Sequence, residues 1–160
     1  IGASVIGVTI RSEDANTIKN LDDFAKAGKK LVPIAPQNAQ YQVVTDYNAA
    51  HPDHPIDLEA SENFEIADAY SWVLEGRYDG YFSIELAYQK NVTAPYGQFK
   101  DKLTYFRYKA LPTYALVNKK ETKLAEEVDK ALGELKKEGK IAELEKKYFG
   151  EELDLLLDKQ

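Results

Sequence analysis

Two short polar clusters stand where α/β proteins hold their ligands. The first is Ala35-Pro36-Gln37-Asn38-Ala39, directly after the apolar run that begins at Leu31. The second is Ser83-Ile84-Glu85, which closes the run that begins at Asp79. In open α/β sheets, ligands sit beyond the carboxyl ends of strands and near helix N-termini. A helix N-terminus offers unpaired N–H groups and a partial positive charge, which suits an anion. Gln37 and Asn38 add amides that both donate and accept, and Pro36 withdraws one N–H. The plainer role for Gln37 or Asn38 is to cap a helix. Ser83 supplies a hydroxyl and Glu85 a carboxylate. The plainer role for Glu85 is a solvated acid in a first helical turn, where the dipole favours it. Gln37, Asn38, Ala39, Ser83 and Glu85 are the candidate ligand contacts, with Tyr81 and Tyr114 as further cleft-lining candidates.

Covalent chemistry has little to work with. The 160 residues contain no cysteine, which excludes disulfides, thiol nucleophiles and thiolate zinc sites. No Gly-x-Ser-x-Gly elbow or phosphate loop occurs. His51-x-x-His54 sits among prolines with no third histidine to support a metal, so it reads as a helix stop. No catalytic residue, metal or cofactor is expected. Asp79 reads as structural, Trp72 and most of the eleven tyrosines as packing. Asn91-Val92-Thr93 matches a glycosylation triplet, which is frequent by chance.

The net charge of −6 argues against nucleic acid and against anionic lipid, since both require a basic patch. Hydrophobic residues at 44% suffice for a core. No apolar segment approaches the roughly 20 residues that span a bilayer. The first residues lack a basic stretch followed by an apolar run, and the start on Ile1 suggests trimming or processing.

Strands and helices alternate along the chain. Gly2 to Ile10 reads as a buried strand. Asn20 caps a helix from Leu21 to Ala27, which Gly28 closes. Leu31 to Ala35 is a short apolar run in which Pro33 argues against a central ladder position. A helix from Gln37 to Ala50 buries Tyr41, Val43, Val44 and Tyr47 and stops at His51-Pro52. Ile56 to Ala60 is a short strand, and Ser61 caps a helix that ends at Gly76. Asp79 to Ser83 is a strand, Glu85 to Lys90 a turn or two of helix, and Asn91 to Lys100 a loop containing Pro95. Leu103 to Lys109 alternates like a strand that Leu111-Pro112-Thr113 breaks, and Tyr114 to Asn118 is another strand. Two helices bury Leu124, Val128, Leu132 and Leu135, then Ile141, Leu144, Tyr148 and Phe149. The tail is a short helix or disordered. This order predicts a three-layer α/β/α fold with a mostly parallel sheet and added C-terminal helices.

Three stretches resemble the polar amino-acid family of bacterial substrate-binding proteins of ABC importers, which have the type II periplasmic-binding-protein fold. They are Ile18 to Ala39, Asn63 to Gly80, and Pro112 to Gly150. The last ends in Lys146-Lys147-Tyr148-Phe149-Gly150, the most specific match. The resemblance implies one lobe of a two-lobed clamp. Residues 1–8 would be a hinge strand, with the crossing at Ser4 to Val8. Residues 9–112 would be the whole second lobe. Residues 113–160 would be the second hinge strand, near Tyr114 to Val117, and helices returning to a first lobe that is mostly absent. It also implies a polar amino acid or related zwitterion as solute, an ABC permease as partner, and an extracytoplasmic location. The family places an Asp for the solute ammonium at the slot that Ile84 occupies here. Either Glu85 rotates in by one residue, or Ser83 contributes a weaker hydrogen bond, or the solute lacks that amine. A homodimer through Val5, Ile6, Val8 and the last helices is a further expectation. The alternatives are a sensor domain of the same fold, which needs a fused signalling segment, and an enzyme, which needs a nucleophile with a base or two facing carboxylates.

Overall fold

The computed structural model describes residues 2–61, 64–94 and 97–159. Ile1, Asn63 and Pro95, which the sequence reading used, lie outside the described residues. The chain forms two compact units. One comprises Ile6–Tyr108, the other Ile1–Val5 with Lys109–Gln160.

The larger unit is built on a sheet whose named strands are β1 (Gly2–Arg11), β2 (Gly80–Ile84) and β3 (Leu103–Thr113), in the order β2-β1-β3. β1 pairs antiparallel with β2, from Ile6 opposite Ile84 to Ile10 opposite Gly80. The backbone of Phe106 and Arg107 in β3 lies against Gly7, and Ser12 N–H donates to Lys102 C=O at 2.9 Å. β3 therefore also runs antiparallel to β1. Beyond β2, parallel bridges join Gly80 to Leu31 and Ile34 to Ala60. All segments of the sheet except β1 thus share one direction, the mostly parallel α/β arrangement expected. Leu31 to Ala35 makes bridges and not a full strand, because Pro33 has no N–H to donate.

The helices are α1 (Leu21–Lys26), α2 (Ala39–Ala50), α3 (Ile66–Leu74) and the short α4 (Glu85–Tyr88), which continues into a π-turn over Gln89–Thr93. Asn20 caps α1 as expected, its Oδ1 accepting from Asp23 N–H at 2.8 Å. α2 begins two residues later than the sequence suggested, with Asn38 and not Gln37 at the boundary. α3 is preceded by Glu65 in the cap position. Ser61 does not cap it: Ser61 N–H instead donates to Ile34 C=O beside the parallel bridge. Ala69, Tyr70 and Val73 of α3 join Val32, Val92, Phe99 and Leu103 in one core cluster. Phe24 of α1 is fully buried and packs beside Gly80, where burial of a side chain that size contributes roughly 2–3 kcal/mol.

Asp79 is structural, as its place before β2 implied. Arg11 Nη2 lies 2.8 Å from its Oδ1, while Arg11 Nη1 donates to the carbonyls of Val73 and Tyr78. Lys30 N–H donates to Asp79 Oδ2 at 3.0 Å.

In the smaller unit, α5 (Thr122–Lys137), α6 (Lys140–Phe149) and a 3-10 turn over Leu153–Lys159 follow β3. Ala3, Val5, Ala110 and Leu153 form its core cluster. Four expectations change here. β3 continues through Pro112, which it tolerates because an edge strand need not donate on its outer side. Tyr114 to Asn118 is not a strand: Tyr114 is 80% and Leu116 102% exposed. The α5 stripe is present in the sequence, but none of its residues is buried. Val5, Ile6 and Val8 cannot face a second copy, because all three are buried within the chain. Among the described residues, no helix is long and apolar enough to cross a membrane.

Candidate functional site

A cleft of about 230 Å3 opens in the larger unit where the run from Leu31 to Ala35 ends. Pro33, Ile34 and Ala35 form one wall, at the end of the first apolar run. Tyr81 and Phe82 of β2 form another, with Phe64 and Ile66 at the start of α3 opposite. Asn38 and Gln40, at the start of α2, supply the polar side chains.

Asn38 makes no side-chain cap to α2, and its N–H donates to Ala35 C=O at 2.9 Å. Its amide is therefore not consumed in holding the helix start. Tyr41 N–H donates to Asn38 C=O at 3.0 Å, which leaves the Ala39 and Gln40 N–H groups as the donors at the positive end of a 12-residue dipole. Gln37 and Ala39 flank Asn38 and are exposed.

Neither Ser83 nor Glu85 lines this cleft. Ser83 is 3% exposed, and its Oγ makes no hydrogen bond of strict geometry among the described residues. Burial pushes the Tyr70 phenol up, outweighing the Ser83 and Thr9 hydroxyls within its reach, which lower it. Glu85 opens α4 and pairs with Arg107 of β3, Nε to Oε1 at 2.9 Å. Ile84 is 38% exposed.

Of the tyrosines singled out, Tyr81 reaches the cleft, edge-on to Phe64 with ring centroids 6.2 Å apart. Tyr114 belongs to the other unit and stands in solvent. The aromatic and apolar rim from Phe64 and Ile66 was missed in the sequence. The one available signal was their position just before and within the first turn of a helix that follows a strand end. Asn91 of the glycosylation triplet uses its side-chain N–H to bond Ala87 C=O at 2.8 Å, next to buried Val92.

Residues 7–151 match the sequence profile of the bacterial extracellular solute-binding proteins, family 3, and the chain belongs to that family. No curated protein matches it. Among solved structures, one from work on glutathione import in Gram-positive bacteria via GshT and the cystine ABC importer TcyBC of Streptococcus mutans is 18% identical. It has a TM-score of 0.66, with 99% of this chain and 64% of that one covered. The probable amino-acid ABC transporter extracellular-binding protein ytmK of Bacillus subtilis is 20% identical, with a TM-score of 0.62 over 93% of this chain and 61% of its own. The L-cystine solute receptor of Neisseria gonorrhoeae is 18% identical, with a TM-score of 0.55 over 96% and 59%. The fold is that of one lobe of a type II periplasmic binding protein. The chain spans about three fifths of the length of the solved structures it matches.

Proposed function

We propose that this chain is the second lobe and C-terminal segment of an extracytoplasmic solute-binding protein that serves an ABC permease. Its solute is a polar amino acid or a related small zwitterion. The observation that carries this reading is the strand-end cleft with the bare start of α2 as one wall. The free N–H groups there, with Gln37, Asn38 and Ala39, take the solute carboxylate. Phe64 and Tyr81 cover its apolar part. Glu85 is the acid nearest the family's ammonium slot and shares its charge between the solute and Arg107. Ser83 sits beneath this surface and supports the strand end from inside.

The cleft is smaller than the roughly 300 Å3 and upward of typical closed ligand sites. That suits one half of a two-sided trap. Exposed Tyr114 and Leu116, with the uncovered stripes of α5 and α6, are the surfaces a first lobe would cover. The importer descriptions of the similar structures support the amino-acid class.

The test is calorimetry of the two-lobed protein and of this chain alone against amino acids, cystine and small peptides. The two-lobed protein is expected to bind at least one of them at micromolar concentration. This chain alone is expected to bind weakly or not at all, because half the enclosing surface is missing. No binding by a folded two-lobed protein would overturn the function. Micromolar binding by the chain alone would overturn its reading as half a trap.

A further inference from the structure

Three donor groups converge at the opposite end of α2 from the cleft. Asp22 lies in the first turn of α1, His51 closes α2, and His54 follows after Pro52-Asp53. One ligating atom from each residue lies within 4.8 Å of the other two, and all three residues are half-buried.

The outer partners of this trio orient it. His51 Nδ1 is 2.9 Å from Tyr47 C=O. A carbonyl only accepts, so Nδ1 is the donor, which leaves Nε2 as the nitrogen that can offer a lone pair. Metal-bound histidines use this arrangement, one nitrogen donating to a carbonyl and the other ligating. The His51 ring also stacks on Tyr47, with centroids 4.2 Å apart and planes 17° apart. Tyr47 O–H donates to Asp22 Oδ1 at 3.2 Å, and Lys26 Nζ holds Asp22 Oδ2 at 2.6 Å. Pro52 and Pro55 restrict the backbone around His54.

His54 Nε2 lies 2.7 Å from Asp22 Oδ1. A bound cation would replace the proton between them, turning donor and acceptor into two ligands. A simple imidazole–carboxylate clamp needs only His54. The second imidazole, held through Nδ1 on the Tyr47 carbonyl, is what the clamp leaves unexplained. Two imidazoles and a carboxylate are the donor set of three-ligand zinc sites, with a fourth position open to water. The half-exposed setting supplies that opening, and the negative end of the α2 dipole favours a cation.

We propose that Asp22, His51 and His54 form a site for a zinc-type divalent cation, about 18 Å along α2 from the solute cleft at 1.5 Å per residue. The site binds together α1, the end of α2 and the turn after it. Magnesium and calcium are excluded by their preference for all-oxygen shells.

The experiment is titration of the metal-stripped chain with zinc chloride, followed by calorimetry, thermal melting and NMR of the imidazole nitrogens. One zinc per chain is expected, with a higher melting temperature by mass action. The chain has only two histidines, so both imidazoles can be followed in the unaltered protein, and both are expected to shift stoichiometrically. His54→Gln and Asp22→Asn are expected to lower zinc affinity at least tenfold with circular dichroism unchanged. The proposal is overturned if zinc binds only at millimolar concentration, if one imidazole shifts without the other, if the variants bind as tightly as the original, or if calcium binds equally well. The imidazole shifts decide the matter even where a variant fails to fold.

Discussion

Arg107 Nε and Glu85 Oε1 stand 2.9 Å apart, so the carboxylate nearest the expected ammonium position already has a counter-ion within the chain. The Arg107 side chain is 42% exposed, and ion pairs of that kind contribute about 0–1 kcal/mol. Glu85→Gln is therefore expected to shift the melting temperature little. In the two-lobed protein it is expected to weaken solute binding about tenfold, about 1.4 kcal/mol. Calorimetry beside thermal melting separates the two effects. Unchanged affinity would assign Glu85 to Arg107 alone.

Ser83 gives the opposite pattern. Its Oγ is buried beside the Tyr70 hydroxyl, which also lies near the Thr9 hydroxyl. A hydroxyl stripped of water with nothing in exchange costs about 1–3 kcal/mol. Ser83→Ala takes this neighbour from the buried Tyr70 hydroxyl and is expected to lower the free energy of unfolding by about 1 kcal/mol, read by chemical denaturation, and to leave solute affinity unchanged. A rise in stability would mean that the Ser83 and Tyr70 hydroxyls share no hydrogen bond.

What the sequence made legible was local. The apolar run of β1, the Asn20 cap and the stops at Gly28 and Gly76 depend on residues near one another, and all appear where expected. Both glycines have φ values, 64° and 79°, that other residues rarely adopt. What failed depended on distant partners. Tyr114 to Asn118 has the composition of a strand, but composition cannot say whether a neighbour exists to pair with. The stripe of α5 is amphipathic, yet periodicity is silent on what it packs against. The strand-end rule led to Asn38. It did not lead to Phe64, whose place in the cleft depends on how α3 approaches the sheet. Asp22 could not be grouped with His51 and His54 in the sequence, because only the packing of α1 against the end of α2 brings it there.

Asp79 makes stability depend on acid. Burial opposes its ionisation, but Lys30 N–H, Arg11 and Lys29 outweigh burial and hold its carboxyl below the usual value. A carboxyl with a depressed folded pKa contributes stability that is complete above its unfolded value, near pH 4, and is lost as pH falls towards the folded one. Asp79→Asn is expected to cost about 2 kcal/mol near neutral pH through its lost charge-assisted hydrogen bonds. The gap between the two proteins is expected to narrow below about pH 4. Denaturation curves at several pH values check this. A gap that stays constant into acid would mean that the carboxylate charge contributes nothing.

Gly7 and Gly133 test the packing from opposite directions. A Cβ on Gly7 would overlap Phe106 C=O and lie 2.9 Å from Arg107 Cα. Both are backbone atoms of β3, so no side-chain rotation relieves the clash. The strands must separate, and ladder hydrogen bonds lengthen with them. Gly7→Ala is expected to cost about 3 kcal/mol, the upper part of the range for overpacking. Gly133 lies inside α5, where an added Cβ meets nothing within 4 Å. Gly133→Ala gives the unfolded chain less freedom and clashes with no neighbour. It is expected to stabilise by about 0.5–1 kcal/mol. Urea denaturation of the two variants gives both signs. A tolerated alanine at position 7 would mean that β1 and β3 do not pack this closely, and the order β2-β1-β3 would lose its central contact.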